Sequence, residues 1–187
     1  MSVKNYITEF ASPIGTLQLR GTESALTGVF MEPHPQSVGT VRDDGPLREA
    51  RRQLQEYFAG ERREFSLSLE MAGTDFQRCV WQELRAIPHG ETISYGELAR
   101  RIGNPRAVRA VGLANGRNPI SIIVPCHRVI GADGSLTGYG GGLERKRFLL
   151  ALENGGRAPG AREDRRPRLS GQTGLRPVRT AADGCLP

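Results

Sequence analysis

Cysteine, lysine and long apolar runs are all scarce in this chain of 187 residues. The three cysteines, Cys79, Cys126 and Cys185, are odd in number and widely spaced, which excludes a disulfide scaffold and a CxxC metal pair. No apolar run approaches the roughly 20 residues that a membrane span needs, and the N-terminus lacks a charged-then-apolar leader. These absences predict a cytoplasmic protein with no membrane partner, built as one moderate domain or two small ones.

Arginine supplies almost all of the positive charge, because the chain holds 24 arginines and two lysines at a net charge of +6. Residues 154–187 contain seven arginines against three acidic residues, and they contain no aromatic residue. Arginine, glycine and proline make up half of this segment, which cannot bury enough apolar surface to offset its ordering entropy. We therefore expect a disordered tail at 154–187, in which Cys185 has no catalytic role.

Acidic residues are also missing from the 35 residues between Leu98 and Ala132. The same stretch holds six arginines, at positions 100, 101, 106, 109, 117 and 128. A surface that carries only positive charge predicts an anionic partner. The alternative is that acidic residues are missing here by chance, because the whole chain is rich in arginine. Ala107, Ala110 and Ala114 follow one another at helical spacing, and such small side chains would let a helix lie close to DNA. Core packing explains these alanines equally well.

The sequence patterns up to residue 72 predict a mixed α/β unit that carries no candidate catalytic residue. Residues 14–19 and 26–31 are typical of two strands of a hairpin, and residues 65–71 alternate as a half-buried strand does. Residues 47–58 have helical spacing. The polar segment 32–45 is expected to be a connection, and its lone histidine, His34, has no predicted role.

Sequence signals for the start of a helix occur three times between residues 74 and 105. Two capping boxes precede helical patterns, Thr74 with Gln77 and Ser94 with Glu97. Asn104–Pro105 is predicted to open a third helix that ends at Asn115–Gly116. The second and third helices then have helix-turn-helix proportions, which adds to the case for DNA binding.

One cysteine lies where a thiol could be reactive. Residues 120–124 are predicted to form a buried strand, which runs into Pro125-Cys126-His127-Arg128. Nearby positive charge or a base would favour the thiolate, which is the nucleophilic form of cysteine. From the dipeptide alone, a structural cysteine beside a surface histidine is the favoured interpretation. Neighbours on an extended segment point to opposite faces, so proton transfer between Cys126 and His127 would need a bridging water.

Around this cysteine the chain resembles the O6-alkylguanine-DNA alkyltransferases, also called methylated-DNA–protein-cysteine methyltransferases. The resemblance is carried by Asn118-Pro119, by residues 122–130 around Pro-Cys-His-Arg-Val, by the glycine-rich residues 138–143, by Glu153, and by shorter matches between 76 and 115. It is close from 73 to 153, weaker from 1 to 72 and absent in the tail. The Pro-Cys-His-Arg-Val core in this spacing is highly specific.

The resemblance implies an α+β fold in two domains. Residues 1–72 would form a small N-terminal α/β domain of ribonuclease-H-like type. Residues 73–153 would form a mainly helical, winged-helix-like domain that carries Cys126. The implied activity is irreversible transfer of the alkyl group from O6-alkylguanine, and from O4-alkylthymine, to Cys126 after base flipping in double-stranded DNA. No cofactor and no obligate protein partner are implied, and we expect a monomer.

The resemblance also assigns roles to single residues. Cys126 would accept the alkyl group, His127 would take its proton through water, and Glu153 would orient His127. Asn118 would hold the active-site turn, and Tyr95 would donate to N3 of the damaged guanine. The implied DNA-binding residues are Arg109, which would fill the vacated base stack, with Ala107, Ala110, Ala114, Arg106 and Arg128. The implied substrate-binding residues are Val129, Tyr139, Gly140 and Gly141.

Two departures from the family pattern bear on substrate and metal. Gly140 stands where many relatives have serine, alanine or arginine, which leaves the preferred lesion size open. Some relatives hold zinc through an N-terminal Cys/His set, but this chain has no cysteine before Cys79. His34 and His89 alone cannot complete a tetrahedral site, so we expect no structural zinc.

Three other functions compete with alkyl transfer. A non-catalytic sensor of alkyl lesions would keep the fold without an acceptor cysteine, and Cys126 argues against it. A transcriptional helix-turn-helix module would not need the Pro-Cys-His-Arg turn. A cysteine hydrolase would turn over many times, and the sequence offers no separate oxyanion motif for it.

Overall fold

The structure, a computed structural model, describes residues 4–35 and 39–155. Within those ranges the strands are β1 (Tyr6–Ser12), β2 (Gly15–Gly21), β3 (Leu26–Met31), β4 (Thr40–Val41), β5 (Ile93–Ser94) and β6 (Val129–Ile130). The helices are α1 (Gly45–Phe58), α2 (Asp75–Arg85), α3 (Tyr95–Arg101), α4 (Val108–Gly116) and α5 (Leu143–Glu153), with a 3₁₀ turn at Cys126–Arg128. This is the expected α+β composition. Apart from residues 154 and 155, the predicted tail and Cys185 lie outside the described residues.

The N-terminal part is a four-stranded sheet, in the order β3-β2-β1-β4, with α1 packed on it. The β2–β3 hairpin is antiparallel as expected, and β1 pairs with β2 antiparallel and with β4 in parallel. Sequence analysis missed β1, whose inward positions are Tyr6, Thr8 and Phe10. A buried threonine interrupts the apolar alternation that identifies a strand. The short β4 lies inside the segment expected to be a plain connection.

Two later segments cover the outer edge of β3. The amide of Leu26 donates to the carbonyl of Ser68 at 2.9 Å, and the amide of Val29 donates to the carbonyl of Pro119 at 2.9 Å. Residues 65–71 are extended with alternate apolar side chains half-buried, as expected, but they pair with β3 only around Leu26 and form no regular strand. Covering an edge strand removes unpaired backbone groups. Here it also anchors the turn after Pro119 to the N-terminal sheet.

Capping sets where two of the later helices begin. At the start of α2, Thr74 Oγ1 accepts from the Gln77 amide at 3.2 Å, and Gln77 Oε1 accepts from the Thr74 amide at 2.9 Å, so the predicted capping box is present. At the start of α3, Ser94 Oγ accepts from the Glu97 amide at 3.0 Å. All three bonds satisfy amides at helix starts that have no partner inside the helix.

The third predicted helix begins later than expected. Asn104–Pro105 opens a single turn, closed by a 3.0 Å bond from the Ala107 amide to the Asn104 carbonyl, and α4 starts at Val108. Asn and Pro fit the first turn of a helix, but they fit an isolated turn equally well. Helices α3 and α4 are therefore separated by a six-residue connection.

Candidate active site

The segment at residues 120–124, expected to be a buried strand, is a tight turn. Ile122 has φ of 75°, a left-handed conformation that a β-branched residue holds only under constraint from its surroundings. Asn118 supplies that constraint, because its Nδ2 donates to the Val124 carbonyl at 2.8 Å and its Oδ1 accepts from the Ile120 amide at 3.0 Å. The apolar run reflects burial of the turn, which periodicity alone cannot distinguish from a strand.

The turn places Cys126 in the interior of the protein. Cys126 is a free cysteine and only 4% exposed, and its carbonyl accepts from Asn115 Nδ2 at 3.3 Å. Burial raises the pKa of the thiol, while Asn118 and the charge of Lys146 act in the opposite direction. The resting side chain is therefore a thiol, and a base must remove its proton before it can act as a nucleophile.

The next residue provides a candidate base. His127 Nε2 lies 2.8 Å from Glu153 Oε1, and both side chains are fully buried. Burial lowers the pKa of His127, although Glu153 opposes the shift, so the neutral ring is favoured. With the Nε2 proton directed at Glu153, Nδ1 carries the free lone pair. Within the described part of the chain, Nδ1 is buried without a hydrogen-bond partner, so it can receive a proton.

Glu153 holds this histidine from the last turn of α5. Its carboxylate accepts from His127, from the Tyr57 hydroxyl at 2.8 Å, from the Gly90 amide at 3.1 Å, and from Nε and Nη2 of Arg128, both at 2.9 Å. Burial by itself would raise the pKa of Glu153, but His127 and Arg128 outweigh it and hold the pKa well below its usual value. The carboxylate stays ionised and fixes the ring of His127.

Arg128 was expected to bind DNA, and that expectation is wrong. Its side chain is buried, with Nε and Nη2 donating to Glu153 and Nη1 donating to the Ile87 carbonyl at 2.6 Å. A guanidinium whose donors are used in the interior cannot reach a phosphate at the surface. Arg128 instead neutralises the buried Glu153 carboxylate, which would otherwise be costly to bury.

Lys146 belongs to the site although sequence analysis did not select it. It lies on the buried face of α5 with Leu149, Leu150 and Glu153. Its Nζ donates to the Val129 carbonyl at 2.6 Å and to the Thr137 carbonyl at 2.8 Å. Burial lowers the pKa of Lys146 to about 8, against the effect of Cys126. Helical spacing, together with the rarity of lysine in this chain, could have identified it.

A cavity of about 730 Å³ opens between α4 and the glycine-rich segment. Tyr95, Arg109, Leu113, Tyr139 and Gly140 are among its lining residues. Burial first, and then the charge of Cys126, raise the pKa of both Tyr95 and Tyr139, so Cys126 lies within electrostatic range of two lining residues. The cavity is bordered by the exposed face of α4 on one side and by residues 137–140 on the other.

Two of the four predicted substrate-binding residues line the cavity, and two do not. Tyr139 and Gly140 line the cavity, whereas Val129 is buried and its carbonyl is already bound by Lys146. Gly141 faces away from the cavity lining, because a Cβ built on it would lie 2.2 Å from Met31 Sδ of the N-terminal sheet.

Only part of the small-residue face predicted for the third helix lies at the surface. Ala114 is buried and its carbonyl accepts from Trp81 Nε1 at 2.8 Å, so the expectation that Ala114 contacts DNA is wrong and core packing explains it. Ala107 packs against the same core but is only half-buried, and its DNA contact stays a prediction. Ala110 is exposed. The outer face of α4 carries Arg109 and Leu113, the latter 65% exposed.

Arg106 and Arg109 have no ion pair with an acidic residue in residues 4–35 and 39–155. Both are exposed, and Arg109 also lines the cavity. Their charges are consequently available to an anionic partner, as the stretch without acidic residues predicted.

The same ranges were searched for membrane and metal features. They contain no helix that is long and apolar enough to cross a membrane. They also contain no group of three His, Cys, Asp or Glu side chains that could hold a metal ion. His34 instead hydrogen-bonds the Thr16 carbonyl at 2.9 Å, and His89 lies against the ring of Tyr57.

Fold and site together define a two-part protein in which an α/β sheet unit precedes a helical unit with a buried cysteine–histidine–glutamate set. Two family models match it. The ribonuclease-like domain of 6-O-methylguanine DNA methyltransferase matches residues 5–71, and the DNA binding domain of the same family matches residues 75–155. The chain belongs to the 6-O-methylguanine DNA methyltransferase family.

Individual relatives agree with this assignment. The chain is 58% identical to a methylated-DNA–protein-cysteine methyltransferase of Mycobacterium leprae over 145 residues, 76% of this chain and 88% of the relative. It is 53% identical to one of Methanosarcina acetivorans over 152 residues, 79% of this chain and 97% of the relative. A crystal structure of Mycobacterium tuberculosis OGT in complex with DNA has a TM-score of 0.76 at 54% identity, covering 83% of this chain and 96% of that one.

Proposed function

We propose that this protein repairs DNA by direct reversal, moving the alkyl group of an O6-alkylguanine onto its own Cys126. One observation carries the proposal: a free cysteine, next to a buried His127–Glu153 pair, lies near Tyr95 and Tyr139, which line a cavity on the exposed face of α4. The DNA-bound relative, at 54% identity, supports DNA as the partner. The same site would accept O4-alkylthymine, in which the alkyl group is also attached to a base oxygen.

The proton path follows from the free lone pair of the base. The Cys126 thiol gives its proton, through a bridging water, to Nδ1 of His127, while Glu153 stabilises the ring as it becomes charged. Glu153 is suited to this role because its pKa is held well below the usual value. The buried Lys146 favours the thiolate electrostatically.

Transfer is a displacement at the alkyl carbon. The carbon–sulfur bond forms as the carbon–O6 bond breaks, and the electron pair leaves with guanine, which gains one proton as the thiol loses one. Tyr95, which lines the cavity, would donate toward N3 of the departing base once its hydroxyl leaves the Thr137 and Gly138 carbonyls. The product is a thioether that water does not hydrolyse, so Cys126 stays alkylated. The protein therefore acts once and is consumed.

The exposed face of α4 is the proposed DNA contact. The target atom lies inside the duplex, so the nucleotide must be extruded at a cost of a few kcal/mol. Arg109 borders the cavity and would fill the gap left in the stack, while Arg106 would contact phosphate and Ala110 would allow close approach. We propose minor-groove entry, which suits repair because readout there depends little on sequence.

Three further assignments complete the proposal. The boundary near residue 72 between an N-terminal domain and a catalytic domain, residues 73–153, is supported by family matches that change between 71 and 75. We propose a monomer without an obligate protein partner, since transfer uses groups of one chain. We also propose a cytoplasmic location, where DNA is accessible.

The test is the intact mass of the protein after mixing with excess duplex DNA that contains one O6-methylguanine. We expect a gain of one methyl group, mapped to Cys126 and saturating at one per protein. Tight binding without any gain, for methyl and for benzyl lesions alike, would contradict the proposal and indicate a lesion sensor.

Replacing Arg109 should slow the step of base flipping without slowing alkyl transfer itself. We expect Arg109→Ala to slow repair of duplex DNA by about tenfold or more, because losing 1.4 kcal/mol of stabilisation of the flipped state is a factor of ten. Reaction with free O6-benzylguanine should be unchanged, since no base must be flipped. Single-turnover rates on both substrates measure this.

Arg106→Ala is the matched control, since it removes an exposed arginine that does not line the cavity. It should weaken duplex binding while leaving the rate at saturating DNA intact. Equal losses of Arg109→Ala on duplex and on the free base would refute the stack-filling role.

A further inference from the structure

The glycine loop, residues 138–142, is held from its outer side by one arginine. Arg145 of α5 donates from Nη1 to the Gly141 carbonyl at 3.1 Å and to the Glu32 carbonyl at 2.7 Å, and from Nε to the Ile14 carbonyl at 2.8 Å. Ile14 lies in the turn between β1 and β2, and Glu32 follows β3 directly. The Arg145 guanidinium thus connects the glycine loop to the N-terminal part through two carbonyl groups, those of Ile14 and Glu32.

Two glycines keep this junction close. Gly15 has φ of 102°, and a Cβ built on it would lie 3.3 Å from Nη2 of Arg145 and 3.4 Å from Oε2 of Glu32. On the other side, a Cβ on Gly141 would overlap Met31 Sδ, so the loop backbone rests directly on the sheet. At both positions a side chain would crowd the groups that lie between sheet and loop, the Arg145 guanidinium at Gly15 and the Met31 thioether at Gly141.

The inner side of the same loop forms the wall of the proposed active site. The Tyr95 hydroxyl donates to the Gly138 carbonyl at 3.2 Å, and Tyr139 and Gly140 line the cavity. A loop with four glycines in five residues has little conformational preference of its own. Its shape therefore depends on external contacts, of which Tyr95 supplies the inner one and Arg145 the outer one.

We propose that Arg145 is a positioning residue, through which the N-terminal sheet sets the shape of the cavity that receives the alkylated base. The proposal rests on the function proposed above. The chain of contacts runs from the carbonyls of Ile14 and Glu32, through the guanidinium, to Gly141 and the adjacent Gly140 in the cavity wall. The catalytic groups around Cys126 are not part of this chain, so Arg145 acts on how the substrate is held rather than on the thiol.

The test compares Arg145→Met with Arg147→Met in two reactions. Methionine keeps an apolar stem but removes the donors, and Arg147 is a matched control because it pairs with Glu144 on the exposed side of α5. We expect Arg145→Met to lower the rate of transfer from dilute O6-benzylguanine by about 10- to 100-fold, since a displacement of about 1 Å in a substrate-positioning group can cost that much. The loss should come from weaker binding, seen as a higher benzylguanine concentration at half-maximal rate.

Alkylation of Cys126 by iodoacetamide, followed by peptide mapping, provides the second reaction. It needs access to the thiol but no recognition of a base in the cavity, so Arg145→Met should leave it unchanged, and Arg147→Met should leave both reactions unchanged. Arg145→Lys should restore part of the benzylguanine rate, because an ammonium can donate to these carbonyls but cannot reproduce the fork.

The outcomes separate the inference from the proposed function. A wild-type benzylguanine rate in Arg145→Met overturns the inference, and so does an equal loss in both reactions, which would mean general damage to the fold. Failure of the wild-type protein to transfer from either benzylguanine or methylated duplex overturns the proposed function itself, and the inference with it.

Discussion

Cys126→Ala should abolish alkyl transfer and leave DNA binding intact. The sulfur is the only group in the site that we propose to form a bond with the alkyl carbon, whereas the proposed DNA contacts lie on the outer face of α4. Cys126 is buried at the end of the turn, so removing its Sγ takes away one interior atom and none from the exposed face of α4. Transfer should fall below detection, measured as methyl incorporation by mass spectrometry, while the affinity for lesion-containing duplex stays within the scatter of the wild type.

Cys126→Ser is the matched control for shape. A hydroxyl retains the volume and a hydrogen-bonding group, but a hydroxyl is a much weaker nucleophile than a thiolate at neutral pH. We therefore expect no transfer from this variant either, together with normal folding. Methyl incorporation by Cys126→Ala, at any residue, would contradict the assignment of the acceptor.

Local sequence signals predicted several elements because the relevant contacts lie within a few residues. The Thr74–Gln77 capping box needs only residues three apart, and the structure contains both of its bonds. The β2–β3 hairpin follows from apolar patterns next to a short connection. In each case the partner groups are near in the chain, so spacing alone determines which of them can meet.

The apolar run at residues 120–124 predicted burial correctly but predicted the wrong backbone conformation. Residues 120–124 are buried, as predicted, but their conformation is determined by the side-chain amide of Asn118, which replaces the backbone partners a strand would use. Ala114 shows the same ambiguity, since a small residue suits close approach to DNA and to Trp81 equally well. Composition shows that a side chain is covered without showing what covers it.

The buried charges were the least predictable part of the site. Arg128 was expected at the DNA surface as one of six arginines in a stretch without acidic residues, but its partner Glu153 lies 25 residues away in sequence. Arg145 contacts Ile14 across 131 residues. No local pattern encodes such pairs, although the position of Lys146 on the apolar face of α5 did contain a usable signal.

Glu153→Gln should cost both stability and transfer. The carboxylate balances Arg128 in the interior, and removing one partner of a buried ion pair typically destabilises a protein by about 3–5 kcal/mol. A glutamine also presents an amide NH2 group to the donors of Tyr57, His127 and Arg128, so one of them loses its acceptor. With the ring of His127 less well oriented, transfer should slow by about 10²- to 10⁴-fold.

Glu144→Gln is the control, because Glu144 lies on the same helix, is largely exposed and pairs with Arg147 at the surface. A surface pair of this kind contributes about 0–1 kcal/mol, so this variant should unfold almost as the wild type does. Urea unfolding at pH 7 gives the free energies of unfolding, and single-turnover transfer, measured where each variant is folded, gives the rates. A Glu153→Gln variant within about 1 kcal/mol of the wild type would contradict the proposed charge balance.

The pH dependence distinguishes a lost charge from a loss of packing. The pKa of Glu153 is held well below its usual value of 4.5 in the folded state, so the unfolded chain binds its proton first as the pH falls. The stabilisation by the carboxylate is therefore complete above pH 4.5 and decreases as the pH falls toward the lower folded-state pKa. The difference in unfolding free energy between the wild type and Glu153→Gln should stay constant from neutral pH down to this range and then shrink. A difference that persists unchanged at lower pH would show that glutamine perturbs packing rather than charge.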